Sequence, residues 1–371
     1  MRFAMIMAGG AGTRLWPMSR SGQPKQLIRF IHDRPGEQPR SLLEVAATRL
    51  EGVVPPDRRY ICTGERYRSE IRASLPTFDD EHVLGEPEPR DTVNAVGFAA
   101  AVFSQLDPEA VFAVLTADHL ITPQDRFARA IDAGFRLVEN NPRRLVSFGI
   151  QPTYPATGFG YIENADTITD DADDYDALAC RLARFVEKPP LEKATEYVAS
   201  GSFSWNAGMF VFQARTFLDL LARHQPACHE GLARIGAAWN TPDRQKVLDD
   251  EYPKLTKISV DYGVMEPAMN DDAVELCGVR MDVDWLDVGS WPSYGETLAP
   301  DDAGNRVAGA ALAAHQARDN VVIGAGDDHT VALVGCDNLI VVRTPEATLV
   351  MPKDRAQDLK ALHATLPSEI R

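Results

Sequence analysis

The chain has 371 residues, of which 44% are hydrophobic and 25% are charged. This composition is typical of a soluble globular protein and excludes a disordered, collagen-like or coiled-coil chain. The formal net charge is −16, from 38 lysine and arginine residues against 54 aspartate and glutamate residues. We therefore expect no nucleic-acid binding, which requires a basic face opposite the phosphates.

Cysteine usage and hydropathy restrict the cellular setting. The five cysteines are scattered and form no C-x-x-C pair, so neither a disulfide framework nor a zinc ribbon is expected. No apolar run approaches the roughly 20 residues that span a bilayer, and the N-terminal apolar run is too short for a secretory signal. These features predict a cytoplasmic protein without membrane contact.

Apolar runs and helical stretches alternate through the first 150 residues. The runs predict strands and the stretches between them predict helices, with strands over residues 2–8, 59–63, 110–116 and 145–150 and helices over 93–106 and 127–140. This alternation predicts an α/β fold with a Rossmann-like, mostly parallel sheet flanked by helices. Ligands usually bind such sheets at the carboxyl ends of the strands.

The second half of the chain first continues this pattern and then changes it. After an acidic loop at residues 170–176, a strand is predicted over 203–212 and a helix over 216–224. Beyond about residue 292, short Val, Ala and Ile runs alternate with Gly, Asp and Asn, at residues 321–324, 331–335 and 339–342, before a closing helix at 354–366. Such short strands predict a small β-rich unit resembling a short β-helix.

We therefore expect two domains, an α/β domain over residues 1–291 and a β-rich domain with a closing helix over residues 292–371. The second domain either packs on the first or joins two subunits in a homodimer.

A glycine-rich segment directly after the first predicted strand is the strongest local signal. Its glycines allow backbone N–H groups to wrap phosphate oxygens, and Arg14 and Lys25 add fixed positive charge for a polyphosphate. A Walker A loop is excluded because Gly12 precedes Thr13-Arg14 rather than Lys-Ser/Thr, and a dinucleotide fingerprint is excluded because Leu15 replaces its third glycine. The segment therefore predicts a phosphate site of another kind.

Two aspartates stand where a divalent cation could be bound. Asp118 follows the predicted strand at 110–116, and Asp287 lies in a glycine-containing turn between two tryptophans. Two carboxylates with few competing ligands suit Mg²⁺, which takes its other ligands from water and substrate phosphates. His119 is interpreted as structural, because Mg²⁺ prefers oxygen; without further context, Asp118 fits a turn or helix cap equally well.

The ordered motifs resemble those of the sugar-phosphate nucleotidylyltransferases, and specifically the mannose-1-phosphate guanylyltransferase branch. The resemblance is carried by Gly-Gly-x-Gly-Thr-Arg-Leu-Trp-Pro-x-Ser-Arg with Pro-Lys-Gln at residues 9–26, Phe-Val-Glu-Lys-Pro at 185–189, Trp-Asn-Ala-Gly-Met-Phe at 205–210, Asp-Tyr with Met-Glu at 261–266, and Trp-Leu-Asp-Val-Gly-Ser-Trp at 285–291. Residues 1–291 are accordingly identified as the catalytic domain.

The resemblance implies a reaction and its participants. GMP would pass from GTP to mannose 1-phosphate, giving GDP-mannose and pyrophosphate, by in-line attack of the sugar phosphate on the α-phosphorus with Mg²⁺. The catalytic residues implied are Arg14, Lys25, Asp118 and Asp287, with Asp118 and Asp287 as metal ligands. The alternatives are glucose 1-phosphate with UTP or dTTP as substrates, and a non-catalytic regulatory homologue that binds a nucleotide sugar.

The resemblance also assigns residues to the two substrates. For the sugar phosphate these are Gly158, Gly160, Glu187, Lys188 and Asn206. For the nucleotide they are Ala8, Gly9, Gly10, Gly12, Thr13, Arg14, Lys25, Glu86, Arg90 and Asn94. Glu187 and Lys188 can serve one ligand only if the chain bends there, because adjacent strand residues point to opposite faces.

Base recognition is assigned to the loop that opens the helix near Val93. Guanine offers N1–H and N2–H donors beside its O6 acceptor, so Glu86, Arg90 and Asn94 are the candidates. The sequence departs from the family at Asp91, where Asn is common, at Asn94, where Pro is common, and at Pro267, where Lys is usual.

Overall fold

The computed structural model describes residues 1–10, 12–20, 22–31, 38–169, 178–325 and 329–371. The predicted acidic loop at residues 170–176 and Ala11 of the glycine-rich segment lie outside the described residues. The chain forms two compact units. The first comprises Met1–Gly9, Ala46–Thr116 and Ile121–Trp285, and the second comprises Gly10–Val45, Ala117–Leu120 and Leu286–Arg371.

The strands of the described residues occur in both units. The chain passes from one unit to the other within two of these strands, His119–Thr122 and Asp284–Asp287. In chain order they are β1 Arg2–Met7, β2 Arg29–Ile31, β3 Arg40–Ser41, β4 Arg59–Gly64, β5 Val83–Glu86, β6 Val111–Thr116, β7 His119–Thr122, β8 Arg144–Ile150, β9 Gly160–Thr167, β10 Ala179–Val186, β11 Phe203–Gln213, β12 Glu275–Met281, β13 Asp284–Asp287, β14 Arg306–Ala308, β15 Ala311–His315, β16 Val321–Gly324, β17 Thr330–Val334, β18 Leu339–Arg343 and β19 Thr348–Pro352.

The α-helices lie mainly in the first unit. In chain order they are α1 Leu42–Thr48, α2 Arg68–Ser74, α3 Thr92–Leu106, α4 Gln124–Asn140, α5 Leu191–Ser200, α6 Ala214–His224, α7 Pro226–Ala238, α8 Arg244–Glu251, α9 Glu266–Ala268, α10 Trp291–Glu296 and α11 Leu359–Thr365. The predicted closing helix at 354–366 is a 3-10 helix, Lys353–Asp358, followed by α11. Within the described residues, no helix combines the length and apolar character needed to cross a bilayer.

The first unit is built on a nine-stranded sheet in the order β5-β4-β1-β6-β11-β8-β12-β10-β9, counted over the described residues. Because β10 and β11 pair antiparallel with their neighbours, the remaining seven strands run in one direction. Strands β1 and β6 are almost continuously apolar and buried, as expected for strands covered on both faces. Helix α3 buries Phe98 and Phe103 in the same core.

The second unit contains the β-rich region. Strands β14, β16 and β18 pair parallel, β15 pairs parallel with β17, and β19 closes the first of these sheets antiparallel. Two alternating parallel sheets are typical of a β-helix. The turns stack through buried asparagines, since Asn320 Nδ2 donates to Asn305 Oδ1 at 3.0 Å.

The glycine-rich segment packs against the C-terminal residues within this second unit. Trp16 Nε1 donates to the carbonyl of Ile370 at 2.6 Å, and Trp291 Nε1 donates to the carbonyl of Trp16 at 2.8 Å. Arg20 contacts Glu346 at 2.5 Å. Leu15, Trp16, Ile28 and Trp291 share one hydrophobic core with strands β16, β18 and β19. The unit is therefore assembled from segments distant in the chain.

Candidate active site

The end of β1 directs the chain into the glycine-rich segment. Ala8 N–H donates to the Cys62 carbonyl at 2.8 Å, and the Thr63 hydroxyl donates to the Ala8 carbonyl at 3.0 Å. These bonds fix the point at which β1 ends, at the carboxyl edge of the parallel strands. Gly10 then has a φ of +98°, a backbone conformation that glycine adopts readily.

Gly12 allows the closest approach in the segment. Its φ is +59°, and a Cβ placed on it would lie 2.5 Å from Ser19 Oγ and 2.7 Å from Lys25 Cβ. No side chain fits there, so the backbone of Gly12 lies directly against Lys25. A short 3-10 helix, Thr13–Leu15, begins after it and carries Arg14.

Lys25 forms an ion pair with Asp118. Both side chains lie mostly within the protein, with exposed fractions of 12% and 24%. Burial alone would raise the pKa of the Asp118 carboxyl, but the charges of Lys25 and His119 and the hydrogen bond from Lys25 hold that pKa below its ordinary value. Asp118 is therefore a carboxylate at neutral pH.

The segment after β13 brings a second carboxylate to Asp118. Val288 N–H donates to the Asp118 carbonyl at 2.9 Å, which aligns Asp287 beside Asp118. Ligand atoms of Asp118, His119 and Asp287 lie within 4.8 Å of one another. The Asp287 Oδ1 atom is buried and has no hydrogen-bond partner among the described residues.

This group suits a hard divalent cation. Two carboxylates supply oxygen ligands, and a buried carboxylate oxygen without a donor is costly unless a cation or donor compensates it. His119 Nε2 lies 3.8 Å from Asp118 Oδ1 and is buried. Its nitrogen is a poor ligand for Mg²⁺.

Arg14 approaches the same group. A Cβ added to Gly289 would lie 3.2 Å from Asp287 Oδ1 and 3.3 Å from Arg14 Nη2, so the guanidinium and the carboxylate flank one glycine. Arg14 Nη1 also donates to Gln357 Oε1 at 3.4 Å. The four residues predicted to be catalytic, Arg14, Lys25, Asp118 and Asp287, thus lie together in the second unit.

The candidates for base recognition lie in the first unit. Glu86 ends β5, is 8% exposed, and accepts a hydrogen bond from the Tyr252 hydroxyl at 2.7 Å. Burial raises the pKa of the Glu86 carboxyl, and the Tyr252 hydrogen bond opposes that shift. No role for Tyr252 is predicted from the sequence. Tyr252 lies 166 residues from Glu86 in the chain, so no local motif contains both residues.

Asn94 is fully buried and holds the loop before α3. Its Nδ2 donates to the backbone carbonyls of Arg90 at 2.7 Å and Thr256 at 2.8 Å. Both donor hydrogens are therefore used within the protein, and a direct base contact by Asn94 stays a prediction. Arg90 pairs with Glu88, and Asp91, at a φ of +67°, caps α3 by accepting from Thr92 N–H.

The chain bends between Glu187 and Lys188, as the sugar-phosphate prediction requires. Lys188 has a φ of +48°, and its ammonium forms an ion pair with Glu187. A Cβ on Gly160 would lie 2.5 Å from Glu187 Oε2, so this glycine permits close packing. A Cβ on Gly158 would meet nothing within 4 Å, so packing does not demand a glycine there.

Asn206, which is buried, and Asp261, which is half-buried, form a polar pair beside Glu187. Asn206 Oδ1 accepts from the Ser147 hydroxyl and Gly208 N–H, both at 3.0 Å, while its Nδ2 donates to Asp261 Oδ1 at 3.0 Å. Burial, reinforced by the charge of Glu187, raises the pKa of Asp261 to about 7. The sequence motif includes Asp261 without assigning it a role, and its placement in this group adds it to the candidate site.

Asp261 begins a π-helix, Asp261–Met265, that leads directly into α9. Such π-helical turns are frequent at functional sites. Glu266, the first residue of α9, accepts from Glu187 N–H at 3.1 Å. Pro267, the third departure from the family pattern, is the second residue of α9.

Aromatic rings pack beside these polar residues. Phe159 meets Trp205 at 5.3 Å and Trp285 at 5.1 Å between ring centroids, both edge to face. This packing places Phe159, which lies between the predicted sugar-phosphate residues Gly158 and Gly160, against Trp205, the neighbour of Asn206.

Comparisons with known proteins cover both parts of the chain. A family model described as Nucleotidyl transferase matches residues 3–303, and one described as MannoseP isomerase/GMP-like beta-helix domain matches residues 317–366. The predicted fold class, a Rossmann-like α/β part with a β-rich C-terminal part, is confirmed.

Individual relatives are similar over nearly the whole chain. A Klebsiella pneumoniae protein named mannose-1-phosphate guanylyltransferase is 37% identical, covering 97% of this chain and 73% of its own length. A protein of the same name from Escherichia coli strain K12 is 35% identical, covering 96% and 72%. A solved structure from Thermus thermophilus, described as mannose-1-phosphate geranyltransferase, has a TM-score of 0.82 and 31% identity, covering 97% of this chain and 98% of its own.

Proposed function

Because the chain belongs to the nucleotidyl transferase family, among the relatives named mannose-1-phosphate guanylyltransferase, we propose that it transfers GMP from GTP to mannose 1-phosphate. The products are GDP-mannose and pyrophosphate. Family membership makes the chain a nucleotidyltransferase, and the substrates follow from the names of its relatives.

One arrangement of side chains carries the proposal. Arg14 and Lys25 bring two cations to the glycine-rich segment, and Asp118 and Asp287 bring two carboxylates to the same place. Cations beside a metal-binding carboxylate pair suit a polyphosphate with its divalent cation, because phosphate oxygens carry the charge that both must neutralise. A simple sugar-binding protein has no use for this arrangement.

The residues at Asp118 and Asp287 fit Mg²⁺. The observation that favours a cation there is the buried Oδ1 atom of Asp287, which has no hydrogen-bond partner in the part of the chain that the structure describes. When bound, the ion would supply positive charge to phosphate oxygens. Lys25 is held near the metal-binding group by its ion pair with Asp118, so its ammonium is positioned before any phosphate arrives.

The proposed reaction forms one bond and breaks one. An oxygen of the mannose 1-phosphate attacks the α-phosphorus of GTP, and the bond from that phosphorus to the bridging oxygen of pyrophosphate breaks with its electron pair leaving on pyrophosphate. No side-chain base is needed, because the attacking phosphate is already anionic. Arg14 and Lys25 stabilise the charge on the leaving group, and binding supplies the alignment.

The first unit carries the groups proposed for selectivity. Asn206, Glu187 and Asp261 present amide and carboxylate atoms suited to sugar hydroxyls, and Lys188 supplies a cation for the sugar phosphate. Glu86 supplies a carboxylate for the donor edge of guanine.

Pyrophosphate release with GTP and mannose 1-phosphate, with and without Mg²⁺, tests the proposal. We expect release only with both substrates and the ion, and GDP-mannose in equal amount. A panel with ATP, UTP and dTTP, each with mannose 1-phosphate or glucose 1-phosphate, tests which nucleotide and which sugar phosphate the protein uses. Faster turnover of glucose 1-phosphate with UTP or dTTP would contradict the substrate assignment, and no turnover with any pair would favour a non-catalytic role.

A further inference from the structure

A fully buried tyrosine contacts the carboxylate proposed for base recognition. Tyr252 is 0% exposed, and its hydroxyl donates to Glu86 Oε1 at 2.7 Å. It begins a short 3-10 helix, Tyr252–Lys254, and its ring packs near Phe98 of α3 at 5.7 Å between centroids. Because the ring is fully buried, close packing restricts it to one orientation. The hydroxyl therefore donates to a single oxygen of Glu86.

The other oxygen of Glu86 is directed toward Gly9, which follows β1 in the same unit. Glu86 ends β5, a parallel strand at the edge of the sheet. Its Oε2 lies 4.0 Å from the position that a Cβ on Gly9 would occupy. The carboxylate thus has one oxygen held by Tyr252 and one at the carboxyl edge of the strands, where α/β sheets bind ligands.

The loop beside Glu86 is tied to the segment that carries Tyr252. Asn94 bridges the backbone carbonyls of Arg90 and Thr256, and Thr256 follows the 3-10 helix of Tyr252. The Glu86 carboxylate also accepts a hydrogen bond from the backbone N–H of Arg90, which completes the connection. Glu86, Tyr252 and the base-recognition loop therefore form one rigid cluster of hydrogen bonds.

The chemistry of the nucleobases gives this cluster a use. Guanine presents N1–H and N2–H side by side, and one ionised carboxylate can accept both. Adenine presents the N1 lone pair there, which an ionised carboxylate repels. Burial favours the neutral form of Glu86, whereas a donated hydrogen bond favours its ionised form. Tyr252 is the side chain that donates that bond.

We propose that Tyr252 is a positioning residue for base selection, holding the Glu86 carboxylate ionised and in one orientation to accept from guanine. This inference rests on the proposed function, since it presupposes that GTP is the nucleotide used.

The test is Tyr252→Phe, which removes the hydroxyl and keeps the ring. We expect kcat/KM for GTP to fall about tenfold, as for the loss of a hydrogen bond to a charged group, through KM with kcat within about twofold. Turnover of ATP should stay the same or rise, so the GTP-to-ATP ratio falls. ITP, which keeps N1–H and lacks the 2-amino group, should bind wild-type protein less tightly than GTP.

A double-mutant cycle separates positioning from a structural role. Glu86→Gln should lose GTP preference, and adding Tyr252→Phe to Glu86→Gln should lose little more, because the tyrosine acts through the carboxylate. Tyr294→Phe is the matched control, since Tyr294 is also buried and its hydroxyl donates to a backbone carbonyl, that of Phe30. We expect it to leave the GTP-to-ATP ratio unchanged.

Equal losses for GTP and ATP in Tyr252→Phe, or additive losses in the double variant, would overturn the proposal. If Tyr252→Phe fails to fold, Glu86→Gln decides, and an unchanged GTP-to-ATP ratio overturns it. Equilibrium binding of GTP, ITP and ATP to the same proteins measures base selection without relying on turnover. A wild type that binds GTP selectively but makes no GDP-mannose contradicts the proposed function alone.

Discussion

The ammonium of Lys25 forms an ion pair with the carboxylate of Asp118, 93 residues further along the chain. Lys25 begins a short 3-10 helix in the glycine-rich region, and Asp118 lies between β6 and β7. Since both side chains are mostly buried, removal of either one leaves the other charge without its nearest partner. The pair links the residues proposed to bind phosphate to the residues proposed to bind the metal ion.

Replacement of Lys25 by Ala should stop turnover while the fold persists. The missing ammonium removes charge stabilisation from the leaving pyrophosphate, and we expect kcat to fall by about 100-fold or more. Pyrophosphate release at saturating substrates gives the rate, and circular dichroism checks the fold. Lys193→Ala, which removes an exposed lysine paired with Glu196, is the control. Near-normal turnover in folded Lys25→Ala protein would remove Lys25 from the reaction.

Chelation should abolish activity reversibly, and Asp287→Asn should raise the Mg²⁺ concentration needed for half-maximal rate. The substitution would weaken a proposed oxygen ligand, whose Oδ1 atom has no hydrogen-bond partner among the described residues. We expect an increase of about tenfold or more, measured by Mg²⁺ titration of pyrophosphate release. Asp284→Asn alters an exposed carboxylate of the same strand and should leave the titration unchanged. Activity that survives EDTA would contradict a metal requirement.

Gly12→Ala should impair the phosphate site through sterics alone. The added methyl group would meet Ser19 Oγ and Lys25 Cβ at 2.5 and 2.7 Å, on a residue with a φ of +59°. We expect kcat/KM for GTP to fall by about tenfold or more, because Lys25 must move. Gly22→Ala meets nothing within 4 Å and provides a control from the same region. Equal rates for the two variants would show that the close approach is unimportant.

Asp261 should make stability depend on pH. Its pKa is raised to about 7 in the folded protein and is near 3.9 in an unfolded chain. Between these values the folded state holds a proton that the unfolded state releases, so the free energy of unfolding falls as pH rises from about 4 to about 7. Asp261→Asn stays neutral and keeps an acceptor for Asn206, so it should lack this fall.

Thermal unfolding of wild type and Asp261→Asn at pH 5 and pH 8 measures the difference. The variant should gain about 2–3 kcal/mol relative to wild type between the lower and the higher pH. Asp219→Asn, which changes a carboxylate on the exposed face of α6, should track wild type at both values. A constant difference between Asp261→Asn and wild type would place the Asp261 pKa outside this window.

Continuous apolar runs predicted the central strands closely, because a strand buried on both faces leaves little choice of residue. The run at 203–212 corresponds to β11, Phe203–Gln213, and the helix expected from Val93 begins at Thr92. The order of the strands in the sheet could not be predicted from the sequence. Strand β11 runs antiparallel between β6 and β8, and nothing in its own residues specifies those partners.

The residues of the candidate site were likewise predicted only in part from the sequence. Short motifs and the family resemblance predicted Arg14, Lys25, Asp118 and Asp287 as catalytic residues, and the structure brings these four side chains together. No role for Tyr252 or Asp261 could be predicted from the sequence. A tyrosine or a single aspartate becomes a candidate site residue only through neighbours that lie far along the chain. Their contacts with Glu86 and Asn206 depend on tertiary packing, which no local pattern records.

The composite second unit has a consequence for biosynthesis. Ribosomes add roughly 5–20 residues per second, so residues 10–45 emerge well before residues 286–371 exist. Until then, Leu15, Trp16 and Ile28 lack most of the partners that bury them, and Trp16 has no Ile370 carbonyl to bind. The glycine-rich segment of the nascent chain must therefore stay partly unburied until residues 286–371 have been synthesised, so its folding depends on the later appearance of the β-rich region.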